Sequence, residues 1–143
     1  MPCCNIWEVF NEKDLLIKEY KYWKLLLRNK NITLGAAVLI TKEHYEALSE
    51  LNYEEMKEFL DIVKEYNKAV KAAFNHEKTN YLMLMMKDKH THYHILPRYS
   101  SPRNFAGFEW TDEDWPKMTW KQTKPEVSME ILQKVKEELK KNL

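Results

Sequence analysis

The chain has 143 residues, 44% of them hydrophobic, and its 23 Lys plus Arg are balanced by 22 Asp plus Glu. This length fits one domain with one core. A net charge of +1 provides no broad basic surface for duplex nucleic acid and favours a small ligand. The two glycines, Gly35 and Gly107, exclude a glycine-rich phosphate loop of the dinucleotide-binding or P-loop type.

The N-terminal region shows neither a signal-peptide pattern nor a membrane span, and no later segment is apolar for long enough to cross a bilayer. We therefore expect no membrane contact. The only cysteines, Cys3 and Cys4, are adjacent and form neither a metal-knuckle spacing nor a disulfide framework. They are interpreted as incidental thiols near a mobile terminus, and the expected location is the reducing cytoplasm.

The first elements are short. Residues 7–27 mix apolar and charged runs, which predicts strands or turns of an edge region, and residues 28–33 are polar and turn-like. Residues 35–41 form an apolar run of the length expected for a buried strand.

A long scaffold helix is predicted to begin near Asn52. Asn52 and Glu55 have the spacing of a capping box, in which each side chain satisfies an amide at the helix start. Apolar residues then recur at helical spacing and form one stripe: Met56, Phe59, Leu60, Val63, Tyr66, Val70, Ala73 and Phe74.

The remaining elements define the fold class. Residues 81–86 and 90–97 are strand candidates, the second with a clear period of two, and a final helix near Ser128 turns Ile131, Leu132, Val135 and Leu139 inward. Strands flanking one long helix without regular alternation predict a single α+β domain over residues 1–143, with a mostly antiparallel sheet.

Three histidines, His90, His92 and His94, fall at alternate positions of the second strand candidate. Alternate strand residues share one face at a spacing of about 7 Å, so the histidines form a row on an accessible face while Tyr93 and Ile95 pack inward. A neutral imidazole is a nucleophile, and its neighbours can bind phosphate oxygens or supply a proton. His92, with a partner on each side, is the candidate nucleophile. His90 and His94 would then orient it or bind the non-bridging phosphate oxygens.

Metal binding is the main rival interpretation of this row. A His-x-His pair could hold zinc with a third ligand such as His76 or Glu109. A straight strand spreads alternate residues along a line, however, so the three histidines converge poorly on one ion. We rank this interpretation below phosphate chemistry, and an accidental row lower still.

Other polar and aromatic residues receive weaker assignments. Arg98 is kept as a candidate phosphate ligand because a guanidinium suits phosphate, whereas Arg103 is interpreted as a surface residue. His44 and His76 are interpreted as residues at the start and the end of the long helix. The late tryptophans are expected to pack on the core or an interface: Trp110, Trp115 and Trp120.

The segment His-Thr-His-Tyr-His-Ile-Leu at residues 90–96, followed by Pro-Arg-Tyr, resembles the motif of the histidine-triad (HIT) superfamily, with Thr91 at a usually apolar place. Residues 34–51 resemble the central strand and helix entry of that family. Residues 104–112 resemble a tail of its diadenosine-polyphosphate hydrolase-like branch. The resemblance covers residues 28–115, with a C-terminal tail and helix over 116–143.

The resemblance implies a HIT-like fold with about five strands, one long helix and a C-terminal helix. It implies that His92 attacks the α-phosphorus of a nucleoside polyphosphate, such as a diadenosine polyphosphate, or of a nucleotide conjugate, forming a nucleotidyl-histidine that water hydrolyses. The family chemistry requires no active-site metal or other cofactor, although a divalent cation can accompany the nucleotide. The resemblance also implies a homodimer. No metal ligands are assigned, since the cysteine knuckle of zinc-binding members is absent.

Two departures bear on substrate choice. Ala36 stands where many members have histidine, and Met86 stands near the place of an Asn or Gln. The family's ribose-contacting acid or amide falls at Arg28 or Asn29, and Asn29 is preferred. The alternatives kept open are a nucleotide-binding or regulatory module with little turnover and a metal-dependent hydrolase. A DNA-repair deadenylase is disfavoured by the balanced charge and the lack of an appended zinc finger.

Overall fold

The computed structural model describes residues 4–119 and 126–143. Two short helices, α1 (Ile6–Val9) and α2 (Glu12–Leu15), precede strands β1 (Leu16–Glu19), β2 (Trp23–Leu27) and β3 (Ala37–Thr41). A 3₁₀ turn at Leu48–Glu50 leads into helix α3 (Tyr53–Phe74). Strands β4 (Lys78–Leu82), β5 (His92–Arg98), β6 (Arg103–Phe105) and β7 (Phe108–Trp110) follow, and helix α4 (Met129–Lys141) comes last.

Strands β1 to β5 form one five-stranded antiparallel sheet in the order β1-β2-β3-β5-β4, and β6 and β7 form a separate hairpin. The predicted α+β class, with a long helix and a C-terminal helix, is confirmed. In the sheet, His94 lies opposite Val38 and His92 lies opposite Ile40. The histidine-bearing strand is therefore paired on both sides, which holds its backbone in place.

The two faces of the sheet are buried by different helices. The main core lies between one face and helices α3 and α4, and Tyr93 packs there with its ring 4.5 Å from that of Phe59. The opposite face carries Val38 and Ile40 and is covered by Ile6 of α1 and by Phe10, which directly follows that helix. Because strand residues alternate, His92 and His94 share this second face.

Helix α3 begins as predicted. Asn52 accepts a hydrogen bond from the Glu55 backbone at 2.9 Å, and the Glu55 side chain accepts one from the Asn52 backbone at 2.9 Å. Its buried apolar face consists of Ile62, Tyr66, Ala69, Val70 and Phe74. Leu60, which was predicted to belong to the apolar stripe, is 51% exposed and lies outside this face. Helix α4 is capped by Ser128, and Leu132, Val135 and Leu139 are buried as predicted, with Ile131 half-buried.

Replacing Asn52 with alanine is expected to destabilise the fold by about 1 kcal/mol, because the change leaves amides at the start of α3 without their partner. Urea unfolding should show a lower midpoint with an unchanged slope. Asn104→Ala is the matched control, since Asn104 is exposed in the hairpin. Equal midpoints for the two variants would contradict a stabilising cap.

Three local predictions are wrong. Residues 6–15 are mostly helical rather than extended, since helices of four residues are too short to show helical periodicity. The strand expected at 81–86 runs instead from Lys78 to Leu82, and the chain turns away through Met85, whose φ is 53°. The strand expected from His90 begins only at His92.

The late tryptophans were predicted to pack on the core or an interface, and the structure describes two of them, Trp110 and Trp115. Trp110 is 2% exposed and its indole donates to the Asn31 carbonyl at 2.9 Å, which confirms its predicted packing role. Trp115 is half-buried, and Trp120 lies outside the described residues. Within the described ranges, no helix is both long and apolar enough to cross a membrane.

Candidate active site

A cavity of about 640 Å³ opens between α1, the end of β2 and the loop that leads into β5. One wall is apolar and contains Val9, Phe10, Leu84, Met85 and Met86. The polar lining consists of Arg28, Asn29, Lys30, Lys87, Asp88, His92 and His94. The cavity therefore combines an apolar surface of the kind that accepts a ring with cations and imidazoles of the kind that bind phosphate.

His92 has the geometry of a nucleophile at this cavity. Its Nδ1 lies 2.6 Å from the backbone oxygen of His90. A carbonyl oxygen only accepts hydrogen bonds, so Nδ1 carries the proton and Nε2 keeps its lone pair. Burial lowers the pKa of His92 from its ordinary value, which keeps the imidazole neutral near pH 7.

His94 lies beside His92, with 5.0 Å between the two ring centroids. Phe10 packs against both rings, with centroids 5.5 Å from His92 and 5.8 Å from His94. His92 is 3% and His94 6% exposed, so the expectation of a freely accessible row is wrong: α1 covers it. Burial, then the Arg28 charge, lower the pKa of His94 to about 3.

The His90 ring is separated from the other two rings. It borders a second cavity of about 280 Å³, and its Nε2 lies 2.6 Å from the Thr41 carbonyl oxygen, to which it donates. Its Nδ1 lies 3.4 Å from the Cys4 sulfur, and the Trp7 ring packs 5.8 Å away. The backbone carbonyl of His90 therefore orients His92, whereas the His90 imidazole lies at the second cavity and contacts Cys4 and the Thr41 carbonyl.

Cys4, His44 and His90 form a cluster whose potential ligand atoms all lie within 4.8 Å of one another. A thiolate and two imidazoles are ligands that zinc prefers. In the described part of the chain, no other group of three such side chains converges in this way. The assignments of Cys4 as an incidental thiol and of His44 as a residue at the start of the long helix missed this cluster, since its members come from three distant segments. Cys3 lies outside the described residues.

Arg28 and Asn29 both reach the main cavity, but in different ways. Arg28 is 4% exposed, its Nη1 donates to the Lys30 carbonyl at 2.6 Å, and burial lowers the pKa of the guanidinium to about 10. The Asn29 amide donates to the Val9 carbonyl at 3.2 Å and accepts from the Lys30 backbone at 3.0 Å. Asn29 thus ties α1 to the cavity wall, while Arg28 presents a buried charge.

Arg98 is not brought to the cavity. Its guanidinium donates to Asp112 at 3.0 Å, to Asn80 at 2.8 Å and to the Lys117 carbonyl at 2.6 Å. Arg98 is 3% exposed, and its side chain joins β5 to the segment after β7. The predicted role of Arg98 in substrate binding stays a prediction that this placement does not favour, because its donors at Nε, Nη1 and Nη2 are used within the fold.

The remaining histidine, His76, is also away from the cavity. It follows the end of α3, and its Nε2 lies 2.9 Å from the Asn67 side-chain oxygen and 2.8 Å from the Thr79 hydroxyl. Its predicted place at the helix end is confirmed.

Comparison with known protein families identifies the family of this chain. The family model described as HIT domain matches residues 10–101. A histidine triad (HIT) protein from Sinorhizobium meliloti 1021 shares 18% identity at a TM-score of 0.76, with 95% of this chain and 94% of that chain covered. No curated protein matches the sequence.

Two other solved structures share the fold. A zinc-bound histidine triad family protein from Mycobacterium smegmatis is 15% identical, with a TM-score of 0.62 and coverage of 97% of this chain and 96% of that chain. The Plasmodium falciparum diadenosine triphosphate hydrolase, solved in complex with cyclomarin A, is 16% identical, with a TM-score of 0.65 and coverage of 90% and 76%. At these identities the likeness establishes the fold.

Proposed function

Because this chain belongs to the HIT domain family, we propose that it is a nucleotide hydrolase or nucleotidyl transferase that uses His92 as its nucleophile. The substrate class is a nucleoside polyphosphate, such as a diadenosine polyphosphate, or a nucleotide conjugate. The observation that carries the proposal is the hydrogen bond of 2.6 Å from His92 Nδ1 to the His90 carbonyl inside a cavity of about 640 Å³. It fixes the tautomer whose Nε2 can attack phosphorus.

In the proposed reaction, the Nε2 lone pair of His92 forms a bond to the α-phosphorus. The bond from that phosphorus to the bridging oxygen of the leaving group breaks, and the oxygen departs with the electron pair. The nucleotidyl-imidazolium keeps its Nδ1 proton, which the His90 carbonyl stabilises. Water then attacks the same phosphorus and loses a proton to solvent, while the bond from phosphorus to Nε2 breaks and its electron pair returns to the imidazole. This step releases a mononucleotide and restores neutral His92.

The pH at which activity falls in acid should reflect the lowered pKa of the buried nucleophile, His92. Burial holds the pKa of His92 below its ordinary value of 6.5, and only the neutral imidazole attacks. We therefore expect kcat/KM to stay level as the pH falls from 7.5 through 6.5, and to decline only at lower pH. The measurement is a pH–rate profile at constant ionic strength. A decline centred at or above pH 6.5 would contradict this prediction.

His90 and His94 should differ in their contributions. Because the His94 ring borders the cavity and the His90 ring does not, His94→Ala should reduce turnover more than His90→Ala, by about tenfold or more. The measurement is kcat on one nucleotide substrate for both variants, with circular dichroism to verify folding. A larger loss in His90→Ala would indicate that its ring acts in the chemistry.

The deciding experiment is intact-protein mass spectrometry after brief incubation with diadenosine tetraphosphate. The wild type, His92→Gly and His76→Ala are compared, each with and without chelator. His76→Ala is the matched control because His76 is buried outside the cavity. We expect an adduct of one adenylyl group in the wild type and in His76→Ala, no adduct in His92→Gly, and no effect of chelator.

Other outcomes would support the alternatives. Product formation without an adduct, and only with metal, would support a metal-dependent hydrolase. Binding without adduct or product would support a nucleotide-binding or regulatory module with little turnover. One observation favours that module. Met86, which stands near the position where many family members have Asn or Gln, is 86% exposed on the cavity wall and provides no amide to bind a leaving group.

The donor set of Cys4, His44 and His90 fits zinc. Bound zinc would be structural, joining the N-terminal segment to the residues before β5. The Thr41 carbonyl already accepts from His90 Nε2, which leaves Nδ1 directed toward Cys4. The proposed attack by His92 needs no metal or other cofactor, although a divalent cation can accompany the nucleotide.

The homodimer, the cytoplasmic location and the absence of nucleic-acid and membrane partners belong to the same proposal. The homodimer rests on family likeness. Two features are compatible with it: β4 lies at an edge of the sheet, and Tyr81 on that strand is 37% exposed.

A further inference from the structure

The nucleophile lies under a cover of protein. Phe10 packs on the rings of both cavity histidines, with centroids 5.5 Å from His92 and 5.8 Å from His94, and His92 is 3% exposed. In the proposed attack, the nitrogen and the phosphorus must come within about 3.5 Å of each other. A phosphoryl group with its oxygens needs a wider opening at His92 than this cover leaves. Phe10 must therefore move before the substrate can react.

Residues 4–10 form this cover, and side-chain packing holds it on the sheet. Its helix, α1, has four residues, and a helix of that length is not stable by itself. Ile6, 1% exposed, and Phe10, 6% exposed, pack against apolar side chains of β2 and β3. Asn29 adds one hydrogen bond of 3.2 Å to the Val9 carbonyl. The cover can therefore separate from the sheet by breaking a small set of contacts.

The segment that follows the cover is fixed to the C-terminal helix instead. Helix α2 also has four residues, but the Asp14 carbonyl accepts hydrogen bonds from Gln133 at 2.7 Å and from Lys136 at 3.0 Å. Leu15 is fully buried in the main core. Between α1 and α2, Asn11 adopts the left-handed backbone conformation, with a φ of 54°, which interrupts the helical path. Asn11 therefore separates the cover from a firmly anchored part of the fold.

We propose that residues 4–10 act as a lid, hinged at Asn11, which lifts Phe10 away from His92 and admits the substrate. The identity of that substrate rests on the proposed function, whereas the motion involves this chain alone. Because opening exposes the apolar side chains of Ile6 and Phe10, the open form is a minor population. Closure after substrate entry would return protein to the rim of the cavity and limit access of bulk water.

Diethyl pyrocarbonate reports access to His92, because it transfers an ethoxycarbonyl group to an unprotonated imidazole nitrogen. The modification rate of each histidine is measured by peptide mass spectrometry near neutral pH. Ile6→Ala should loosen the lid without changing the main cavity, whose lining does not include Ile6. We expect His92 to react at least about tenfold faster in Ile6→Ala than in the wild type. His76, which is 4% exposed and lies beyond α3, should keep its rate.

Leu139→Ala is the matched control. Leu139 is 0% exposed, and it packs in the main core on the opposite face of the sheet from Ile6. The substitution removes an apolar side chain of the same size, so it reproduces any effect of global destabilisation. We expect its His92 rate to stay within about twofold of the wild type. Each protein is measured as purified and with chelator, because a metal ion bound by Cys4 would also tether the lid, and rates are compared within one state.

Hydrogen exchange of the wild type tests the hinge without any substitution. The Phe10 amide donates to the Ile6 carbonyl at 3.1 Å in α1, and the Leu15 amide donates to the Asn11 carbonyl at 3.0 Å in α2. Both helices have four residues, so fraying alone predicts similar protection of the two amides. A lid hinged at Asn11 predicts that the Phe10 amide exchanges at least about tenfold faster than the Leu15 amide, after correction for intrinsic rates. The measurement is exchange followed by NMR.

Three results would overturn the inference: equal His92 rates in the wild type and Ile6→Ala, an equal acceleration in Leu139→Ala, or equal protection of the Phe10 and Leu15 amides. The last needs no variant, so it decides the matter even if Ile6→Ala does not fold. Neither measurement uses a nucleotide, so the proposed function fails separately. An opening lid in a protein that forms no adenylyl adduct would remove the nucleophile and leave the lid standing.

Discussion

Removing the His92 imidazole is expected to lower turnover by at least about a thousandfold, because the hydrogen bond from His92 Nδ1 to the His90 carbonyl leaves the Nε2 lone pair of this ring to attack phosphorus. His92→Gly should also lose the adenylyl adduct. The measurement is single-turnover hydrolysis of a diadenosine polyphosphate, followed together with the protein mass. Near-normal hydrolysis in His92→Gly would show that another group attacks phosphorus.

The control for this prediction must address packing, since His92 is 3% exposed and contacts Phe10. Deleting the ring leaves a space under α1, and a loss of activity could then reflect local collapse. Added imidazole distinguishes these cases because it can enter the space and supply the missing nitrogen. Partial rescue of His92→Gly by imidazole, with none for His94→Gly, would identify a lost nucleophile. Lost activity without rescue, in a variant with a lowered melting temperature, would indicate collapse instead.

The parts of the fold that the sequence predicts are those decided by local chemistry. The Asn52–Glu55 capping box marks the start of α3 since both hydrogen bonds lie within one turn. The period of two in residues 90–97 predicts β5, which the structure places at His92–Arg98, because one face of that strand is packed against α3 through Tyr93. In each case the determining contacts are either adjacent in sequence or repeated along it.

Features that depend on distant partners could not be predicted. Phe10 packs on the rings of His92 and His94, and the short helix that it follows shows no periodic pattern in the sequence. The separation of His90 from the row depends on a hydrogen bond to Thr41, 49 residues earlier in the chain. No spacing rule links such positions.

Arginine assignments illustrate the same limit. From sequence, Arg98 follows the histidine strand closely, and Arg28 is remote from it. In the fold, Arg98 is held by Asp112, whereas Arg28 reaches the cavity through the pairing of β2 with β3. A charged residue's neighbours in space decide whether its donors are available to a ligand, and those neighbours come from other strands.

Truncating Asp112 to alanine is expected to destabilise the fold by about 3–5 kcal/mol, because it leaves the Arg98 guanidinium buried without its carboxylate. Arg98 and Asp112 side chains are 3% and 2% exposed. The measurement is urea unfolding with linear extrapolation. Asp61→Ala is the matched control: its ion pair with Lys57 is exposed, with side-chain exposures of 60% and 79%, and its loss should cost less than about 1 kcal/mol.

A second comparison separates structure from substrate binding at Arg98. Replacing both partners, with Arg98→Met and Asp112→Leu, removes the buried charges together and should recover much of the stability lost in Asp112→Ala. If Arg98 acts only within the fold, this double variant should form the adenylyl adduct on His92 at a rate within about threefold of the wild type, since neither side chain lines the cavity. A stable double variant that binds nucleotide much more weakly, or forms the adduct much more slowly, would show that Arg98 takes part in substrate binding.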